Sequence, residues 1–422
     1  MRKNICSNRN IFIFGLIFMI LLLVIRSFFT RGMAFEHVLH HFPEHTFSDH
    51  FSSLMDVRNG NPYENLAVYP PFTYLIYLFV NHFLPSDVLY HTDGSIANDM
   101  YTLRNSQMGL MSFLMILLLC LFALYCFIKI TIDKTFKSPE NYSGILFLGF
   151  IFSFPMIFTI ERGNIILLSM ILVGFYSIGI NSENKFIREI GLICLAMAAC
   201  LKLYPAVFGF ILIKRRKFKM AIRAIIYGLF TFFLPFWHFG GIYAIKLFIR
   251  NILNTTNLAA GFGYGFRVGL FKFIDLINDL FKTSINNNIV LITTIFLLIC
   301  IFVFTKRDWV AWMCMSLFCI LIPENSFTYS LIFLIIPITI FLSSEKYDYL
   351  SQIFSIVFAV IFSPWPWGKQ NFFSSIPPMH FLLSLTTIIE NIGLIILVLL
   401  LTYSELLLPL FSKKSNKIVD AT

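Results

Sequence analysis

The chain has 422 residues, of which 58% are hydrophobic and 13% are charged. Soluble domains carry roughly 45–50% apolar and about 25% charged residues, so the composition excludes an ordinary soluble protein. The formal net charge of +10 does not indicate a nucleic-acid partner, because the basic residues form short clusters between apolar runs. The sequence therefore predicts an all-α integral membrane protein that crosses the bilayer many times.

Apolar runs long enough to cross a bilayer, which takes about 20 residues, recur along the whole chain. We predict spans near 11–29, 107–130, 143–160, 165–180, 191–213, 221–239, 288–305, 309–322, 328–343, 350–364 and 380–403. Together with a shorter run at 69–85, they make about ten to twelve membrane segments. We expect one integral domain over 1–422, with a catalytic module at 10–290, further transmembrane helices at 291–405 and a tail at 406–422.

The positions of lysine and arginine predict the orientation of these segments. Cytoplasmic loops carry an excess of both residues, which places both termini and the basic clusters near 129–137, 185–188 and 214–219 in the cytoplasm. The segments left for the outer face are 30–68, the surroundings of 161–164, 240–287, 323–328 and 365–379. This assignment fits best if 69–85 enters the membrane and returns, and if 191–213 is broken near 202–205.

Asp49 lies in the first outer segment, within "FSDHFSSLMD", close to the predicted boundary between water and membrane. A carboxylate at that boundary can act as a general base on a hydroxyl group. It can instead cap an interfacial helix, with Ser48 nearby. The residues alone leave both interpretations open.

The sequence "ERGN", from Glu161 to Asn164, is a polar group between two strongly apolar runs. We expect it to open the next helix, where Gly163 permits a sharp turn and free backbone N–H groups attract an anion. The planar guanidinium of Arg162 suits phosphate oxygens. The alternative is a hydrophilic turn in which Glu161 and Arg162 pair with each other.

Lys202 lies about ten residues inside an apolar run and is followed by Tyr204 and Pro205. An ammonium group in mid-membrane costs about 2.5–3.5 kcal/mol on insertion scales, so such a residue is a functional candidate. Snorkelling of its side chain to the nearer surface is the alternative.

Two further outer segments hold candidate ligands. Arg267, in "GFGYGFRVGLF", is a second candidate for binding an anion. Asn325 and Tyr329 lie on a predicted outer turn, where each can bind a sugar hydroxyl or cap a helix.

A histidine-rich stretch, "EHVLHHFPEHTFSDH", supports a rival metal chemistry. His37 and His41 are four residues apart and can share a metal on one helix face. Pro43 interrupts that helix and there is no HExxH motif, so we assign no metal ligands and expect no certain cofactor, while a divalent metal stays open.

The order of these pieces resembles the GT-C membrane glycosyltransferases. An outer-loop Asp49 is followed by "GNPY" at 60–63, "YPPF" at 69–72, "RGN" at 162–164 and "KLYP" at 202–205. This order is similar to glycosyltransferase family 87 and to the catalytic subunit of glycosylphosphatidylinositol mannosyltransferase I. The similarity covers about 45–215, and the "SDHF" of this chain has one aspartate where the eukaryotic enzymes have a D-x-D-like pair.

The resemblance implies an inverting, mannosyltransferase-like enzyme on the extracytoplasmic face of a bacterial cell membrane. Its donor is expected to be a polyprenyl-phosphate sugar and its acceptor a cell-surface glycan or glycolipid. It implies that Asp49 is the catalytic base, and we expect cationic side chains at the donor phosphate and polar ones around the substrates. The phosphate ligands are then Arg162, Lys202 and Arg267, and the substrate ligands are Asn164, Tyr204, Tyr69 and Asn325.

Two other functions fit the same composition. A polysaccharide polymerase or flippase also handles polyprenyl-linked glycans, although a flippase is expected to have paired structural halves, which the sequence does not show. A small-molecule transporter needs polar groups near the midplane of the membrane, and apart from Lys202 there are few.

Overall fold

A computed structural model describes residues 8–36, 38–39, 46–58, 60–84, 100–133, 142–259, 266–344, 348–365 and 385–410. In these ranges the chain is almost entirely helical and contains no β-strand, only an isolated antiparallel bridge between Arg267 and Phe327. This confirms the predicted all-α class. The α-helices, in chain order, are α1 Asn8–Phe29, α2 Met33–Glu36, α3 Ser48–Arg58, α4 Pro71–His82, α5 Met100–Asn105, α6 Gln107–Asp133, α7 Tyr142–Ile151, α8 Phe154–Arg162, α9 Ile166–Gly179, α10 Lys185–Leu201, α11 Phe210–Lys214, α12 Phe218–Phe233, α13 Ile242–Ala259, α14 Leu270–Phe281, α15 Asn287–Phe304, α16 Asp308–Leu321, α17 Ile335–Ser344, α18 Tyr349–Phe362 and α19 Leu385–Thr402.

Several of these helices are long and apolar enough to cross a membrane. Among the described residues five reach that length: α1, α6, α12 with the turn that follows it, α15 and α19 with its extension to Leu410. A sixth arises if α7 and α8 form one broken span. The protein is therefore a multi-pass membrane protein, while the larger number of about ten to twelve segments stays a prediction.

The predicted interruptions of the apolar runs are present. The run 191–213 breaks after Leu201, and a 3₁₀ turn, Tyr204–Gly209, precedes α11. Helix α4 has 12 residues, or about 18 Å at 1.5 Å per residue, which is too short to cross a hydrocarbon core of about 30 Å.

Helices α13 and α14 occupy most of 240–287, the second long outer segment of the prediction, and neither is among the described helices that are long and apolar enough to cross a membrane. Along α14, apolar residues at 270, 273, 274, 277 and 281 recur at helical spacing. That period of three and four residues is the signal of an amphipathic helix.

The chain forms two units that interleave along the sequence. The first comprises Met1–Val38, Thr131–Pro155 and Phe262–Thr422, and the second comprises Leu39–Ile130 and Met156–Gly261. In the first unit, α1 approaches α18 so closely that a Cβ on Gly15 would lie 2.7 Å from the Cβ of Ala359. The side chain of Trp309 is buried there against Phe341 and Phe354.

The second unit is built around an antiparallel hairpin of α9 and α10. The helices touch at two glycines, since a Cβ on Gly179 would lie 2.7 Å from the Cα of Gly191. Further along, the hydroxyl of Ser169 donates to the carbonyl of Ala198 at 3.0 Å. Because α9 begins where α10 ends, the residues just before α9 and just after α10 lie at the same end of the hairpin.

Candidate active site

Asp49 lies in the first turn of α3, a short helix outside the long apolar runs. Phe47, just before this helix, has φ 58°, a left-handed conformation that is unusual for a bulky residue. Its backbone N–H donates to the carbonyl of Glu161 at 2.6 Å, and its ring contacts that of Phe113 at a centroid distance of 4.2 Å. These contacts fix the start of α3 against the end of α8.

The carboxylate of Asp49 is bound by two residues of the predicted "RGN" motif. Arg162 donates to Oδ1 at 2.5 Å, and the amide of Asn164 donates to Oδ2 at 2.6 Å. The side chains of Arg162 and Asp49 are 21% and 16% exposed, so the ion pair is largely but not fully buried. The expected alternatives, a helix cap by Asp49 and a pair between Glu161 and Arg162, are not what these contacts show.

The motif forms a joint between two helices and does not open the second one as predicted. Arg162 is the last residue of α8, and α9 begins only at Ile166. The joint requires glycine, because Gly163 has φ 64° and a Cβ there would lie 3.1 Å from the Cβ of His50. The side-chain oxygen of Asn164 accepts a hydrogen bond from the Ile166 N–H at 3.0 Å, so this donor at the helix start is already occupied.

Lys202 lies at the end of α10, at the same end of the hairpin as Asn164. It is 8% exposed, and its Nζ lies 3.9 Å from the centroid of the Tyr69 ring, a cation–π contact. The Thr73 hydroxyl of α4 donates to the carbonyl of Leu201 at 3.1 Å, which ties the start of α4 to this point.

The structure therefore brings together five of the predicted residues in the second unit. Asp49, Arg162 and Asn164 are hydrogen-bonded, and Lys202 and Tyr69 are in contact. Tyr204 follows two residues after Lys202, at the start of the 3₁₀ turn, and is partly buried.

Three buried residues that the sequence did not assign to the site support this cluster. Tyr63 donates from its hydroxyl to the carbonyl of Tyr69 at 3.2 Å. Asn251, buried on α13, donates to the carbonyls of Tyr63 and Ala67 at 2.8 and 3.1 Å and so holds the segment that leads to α4. His50 is 2% exposed among aromatic rings, and burial lowers its pKa to about 4. No sequence signal marks Asn251, since it lies 188 residues from Tyr63.

A second carboxyl group, Asp56, lies two turns further along α3. Burial raises its pKa to about 7, so the two aspartates of this helix have different surroundings. Of the two carboxyl groups, that of Asp49 is the one bound by both Arg162 and Asn164.

Arg267 and Asn325 lie in the first unit, where they bind each other. Arg267 is 2% exposed and donates to the side-chain oxygen of Asn325 at 2.9 Å. Asn391, on α19, donates to the carbonyl of Arg267 at 3.1 Å and accepts from the N–H of Gly269 at 3.0 Å. The neighbouring Glu390 is fully buried and accepts from the Thr328 hydroxyl at 3.0 Å. These contacts of α19 fix the backbone on which Arg267 lies.

The alternative metal pair, His37 and His41, lies outside the described residues. Among the residues that are described, no group of three or more His, Cys, Asp or Glu side chains could hold a metal ion.

Comparison with known proteins decides the class of this site. The model of glycosyltransferase family 87 matches residues 67–323, more than half of the chain. The chain belongs to glycosyltransferase family 87. It is therefore a membrane enzyme that transfers glycosyl groups from a sugar donor to an acceptor, as the resemblance implied. No curated protein and no solved structure matches the chain.

The matched range spans parts of both units. It includes Arg162, Asn164, Lys202 and Arg267, and begins just before Tyr69. Asp49 precedes it, so its assignment to the site depends on its contacts with Arg162 and Asn164.

Proposed function

We propose that this glycosyltransferase takes its sugar from a polyprenyl-phosphate donor and transfers it, with inversion, to a glycan or glycolipid at the extracytoplasmic face. Asp49 is the general base, and Lys202 binds the donor phosphate. The observation that carries the proposal is the Asp49 carboxylate, held by Arg162 and Asn164 at the same end of one hairpin as a buried lysine.

The distribution of charge in the second unit supports the outer face. The turn between α9 and α10 lies at the opposite end of the hairpin from Asn164 and Lys202. Basic residues gather around that turn: Arg215 donates to the side chain of Asn181 and Lys217 to the carbonyl of Ile180, both at 2.7 Å. Cytoplasmic ends of membrane helices carry such an excess of basic residues. Asp49, Arg162 and Asn164 then lie toward the outer surface.

The geometry supports base catalysis by Asp49. Each carboxylate oxygen can accept about two hydrogen bonds, so the bonds to Arg162 and Asn164 fix the group and leave capacity for an acceptor hydroxyl. Asp49 takes the proton of that hydroxyl while its oxygen bonds to the anomeric carbon. The bond from the anomeric carbon to the phosphate oxygen breaks on the opposite side, which inverts the configuration and releases polyprenyl phosphate.

Lys202 suits the leaving group. Negative charge develops on the phosphate as the glycosidic bond breaks, and a cation already in place stabilises that charge most effectively. The guanidinium of Arg162 has five donors, so its ion pair with Asp49 is compatible with a second role at the phosphate. Asn164, Tyr69 and Tyr204 are the proposed substrate ligands.

Within the first unit, Arg267 stays a proposed phosphate ligand and Asn325 a proposed substrate ligand, supported by the buried guanidinium and its fixed backbone. Arg267→Lys tests this role, because it keeps the charge but loses the planar fork that binds two phosphate oxygens. A raised KM for the donor is expected, with unchanged protein abundance.

Membership of a glycosyltransferase family favours an enzyme over the flippase and transporter alternatives. A polymerase, which transfers whole repeat units, is separated from a single-sugar transferase by its product. Purified enzyme in lipid nanodiscs is given radiolabelled polyprenyl-phosphate mannose, polyprenyl-phosphate glucose or the matching nucleotide sugars, with a membrane lipid extract as acceptor.

The proposal predicts one added sugar, from a lipid-phosphate donor only, with the opposite anomeric configuration. Transfer from a nucleotide sugar, or retention of configuration, would contradict it. A ladder of repeat units would support the polymerase.

A further inference from the structure

Glu390 is a buried carboxyl group near the start of α19, in the first unit. With its extension to Leu410, α19 is long and apolar enough to cross the membrane. The side chain of Glu390 is 0% exposed. Acidic residues within membrane helices are expensive, so each of them is a functional candidate. The proposed reaction gives Glu390 no role.

The hydroxyl group of Thr328 lies between Glu390 and the backbone at Phe266. Its Oγ1 is 3.0 Å from Oε2 of Glu390 and 3.3 Å from the carbonyl oxygen of Phe266. A hydroxyl group has one proton to donate. If Glu390 is ionised, both of these oxygens are acceptors and compete for that proton. If Glu390 is protonated, its O–H donates to Thr328 while Thr328 donates to Phe266, so both contacts are hydrogen bonds.

The surroundings of Glu390 supply no charge that would keep it ionised. Among the described residues, its Oε1 has no hydrogen-bond partner and no lysine or arginine forms an ion pair with it. The two cations in the small cavity beside α19 bind other groups: Arg267 donates to Asn325 at 2.9 Å, and Lys272 lies 3.5 Å from Asp275. A carboxylate buried without such partners is unstable, and takes up a proton instead.

The contact with Thr328 connects Glu390 to the backbone that carries Arg267. The N–H of Thr328 also donates to the carbonyl of Phe266, at 2.9 Å, so this carbonyl faces two groups of one residue. Phe266 directly precedes Arg267, which forms the antiparallel bridge with Phe327. The position of the Arg267 backbone therefore depends on the side chain of Thr328 and on what holds that side chain.

We propose that Glu390 is a protonated carboxylic acid that donates to Thr328, and that this chain of hydrogen bonds positions Arg267 for the donor phosphate. The role of the phosphate rests on the proposed function, in which Arg267 is one of its ligands. The hydrogen bond runs from the acid to the hydroxyl, the reverse of the one that a carboxylate would form. Glu390 is a positioning residue, because it acts through Thr328 and does not touch the substrate.

The proton on Glu390 matters for an anionic donor. Charges interact strongly where water is excluded. An ionised Glu390 would therefore repel a phosphate that approaches Arg267, whereas the protonated acid holds the backbone without adding a negative charge. An amide can donate the same hydrogen bond as the acid, so Glu390→Gln preserves the proposed contact.

The first test observes the proton directly and needs no sugar transfer. Infrared difference spectra between wild type and Glu390→Gln are recorded in lipid nanodiscs at pH 7. Loss of the C=O stretching band of a carboxylic acid in the variant is the expected result. Glu405→Gln is the matched control, because Glu405 follows α19 and pairs with Arg307, so it is expected to lose carboxylate bands only. Loss of carboxylate bands in Glu390→Gln would overturn the proposal.

The second test examines the positioning of Arg267. KM and kcat are measured for wild type, Glu390→Gln, Glu390→Leu and Thr328→Val, with polyprenyl-phosphate mannose or glucose, whichever the wild type accepts. Glu390→Leu and Thr328→Val remove the hydrogen bonds but keep similar volumes. Both are expected to raise KM for the donor by at least about fivefold, equivalent to about 1 kcal/mol, with kcat unchanged. Glu390→Gln is expected to restore the wild-type KM.

The outcomes distinguish this inference from the proposed function. An unchanged KM in Glu390→Leu, or an equal rise in Glu390→Gln, would overturn the positioning role. If no lipid-phosphate donor supports transfer, the proposed function fails, and hydrogen exchange of the backbone at 266–269 replaces KM as the measurement. Faster exchange in Glu390→Leu than in Glu390→Gln is then expected, and equal exchange would overturn the inference.

Discussion

At the scale of single residues, the candidate base depends on neighbours that are far away in the chain. Asp49 and Arg162 are 113 residues apart, and Asp49 and Asn164 are 115 apart. The sequence identified all three as candidates: Arg162 and Asn164 as polar residues between apolar runs, and Asp49 as a carboxylate at the predicted membrane boundary. It could not predict that Arg162 binds Asp49, since only the docking of α3 against the joint between α8 and α9 brings them together. From the sequence alone, the adjacent Glu161 was the more obvious partner for Arg162.

The ion pair makes a prediction about Arg162. Arg162→Gln is expected to lower kcat by at least about tenfold, because it removes one of two groups that direct the carboxylate and a mispositioned base costs orders of magnitude. Arg162→Lys keeps the charge but not the planar fork, so its kcat is expected to lie between that of Arg162→Gln and that of the wild type. Initial rates at saturating donor provide the measurement, with Arg223→Gln as the control because the ion pair of Arg223 with Glu189 lies on α10 and α12. An unchanged kcat in Arg162→Gln would contradict the role of the pair.

His50 predicts a stability that depends on pH. Burial lowers the pKa of His50 from 6.5 to about 4, so between these two pH values the unfolded state binds more protons than the folded state. The folded state therefore loses stability as pH falls from about 6.5 toward 4. Between pH 7 and pH 5 the loss is about 2 kcal/mol. Asp56 acts in the opposite direction, because a pKa raised to about 7 makes the folded state the better proton acceptor as pH falls.

The two contributions are separated by comparing variants. Apparent melting temperatures of wild type, His50→Gln and Asp56→Asn are measured in detergent at pH 7 and pH 5. His50→Gln is expected to lose less stability on acidification than wild type, and Asp56→Asn to lose more. The same pH dependence in all three proteins would show that neither group is buried as described.

At the scale of elements, the hairpin of α9 and α10 places the parts of the site. The break after Leu201 was predictable, because a lysine and a proline interrupt an otherwise apolar run. The two helices of 240–287 were not predicted although α14 shows a helical period, since the segment was assigned to the outer face as what remained after the basic clusters had been placed. The close approach of Gly179 and Gly191 could not be inferred, because glycines in apolar helices occur for several reasons.

The glycine contact predicts a sensitivity to one methyl group. In Gly191→Ala the new Cβ would lie 2.9 Å from the Cα of Gly179, so the helices must separate. Overpacking of this kind costs about 1–3 kcal/mol and is expected to lower the melting temperature. Gly228→Ala is the matched control, because its Cβ meets no atom within 4 Å and alanine favours a helix by roughly 0.5–1 kcal/mol. Equal stability of the two variants would contradict the close contact.

At the scale of the whole molecule, composition predicted the all-α multi-pass class, because an apolar chain in a bilayer must satisfy its backbone within helices. The number of membrane crossings was less predictable from the composition than the fold class. Apolar runs such as 309–322 form helices of 14 residues, shorter than the hydrocarbon core. Which of these short helices cross the membrane depends on their packing against neighbours.

The orientation of the second unit gives a prediction for the intact protein. Single cysteines are introduced at the exposed residues Asn65 and Glu183 in a background without native cysteines. The charge distribution predicts that a membrane-impermeant thiol reagent labels Asn65→Cys in intact cells and Glu183→Cys only after permeabilisation. The reverse pattern would place the site in the cytoplasm and exclude an extracytoplasmic donor.

The central claim is that Asp49 is the base of a lipid-dependent glycosyl transfer. The most direct measurement compares sugar transfer from polyprenyl-phosphate donors by wild type, Asp49→Asn and Asp56→Asn at equal abundance. Asp49→Asn keeps the size and most hydrogen bonds of the side chain but cannot take a proton, so transfer is expected to fall by about 10²–10⁴-fold. Asp56→Asn is expected to retain most of the activity. Wild-type rates in Asp49→Asn together with loss of transfer in Asp56→Asn would contradict the account and identify the other aspartate of α3 as the base.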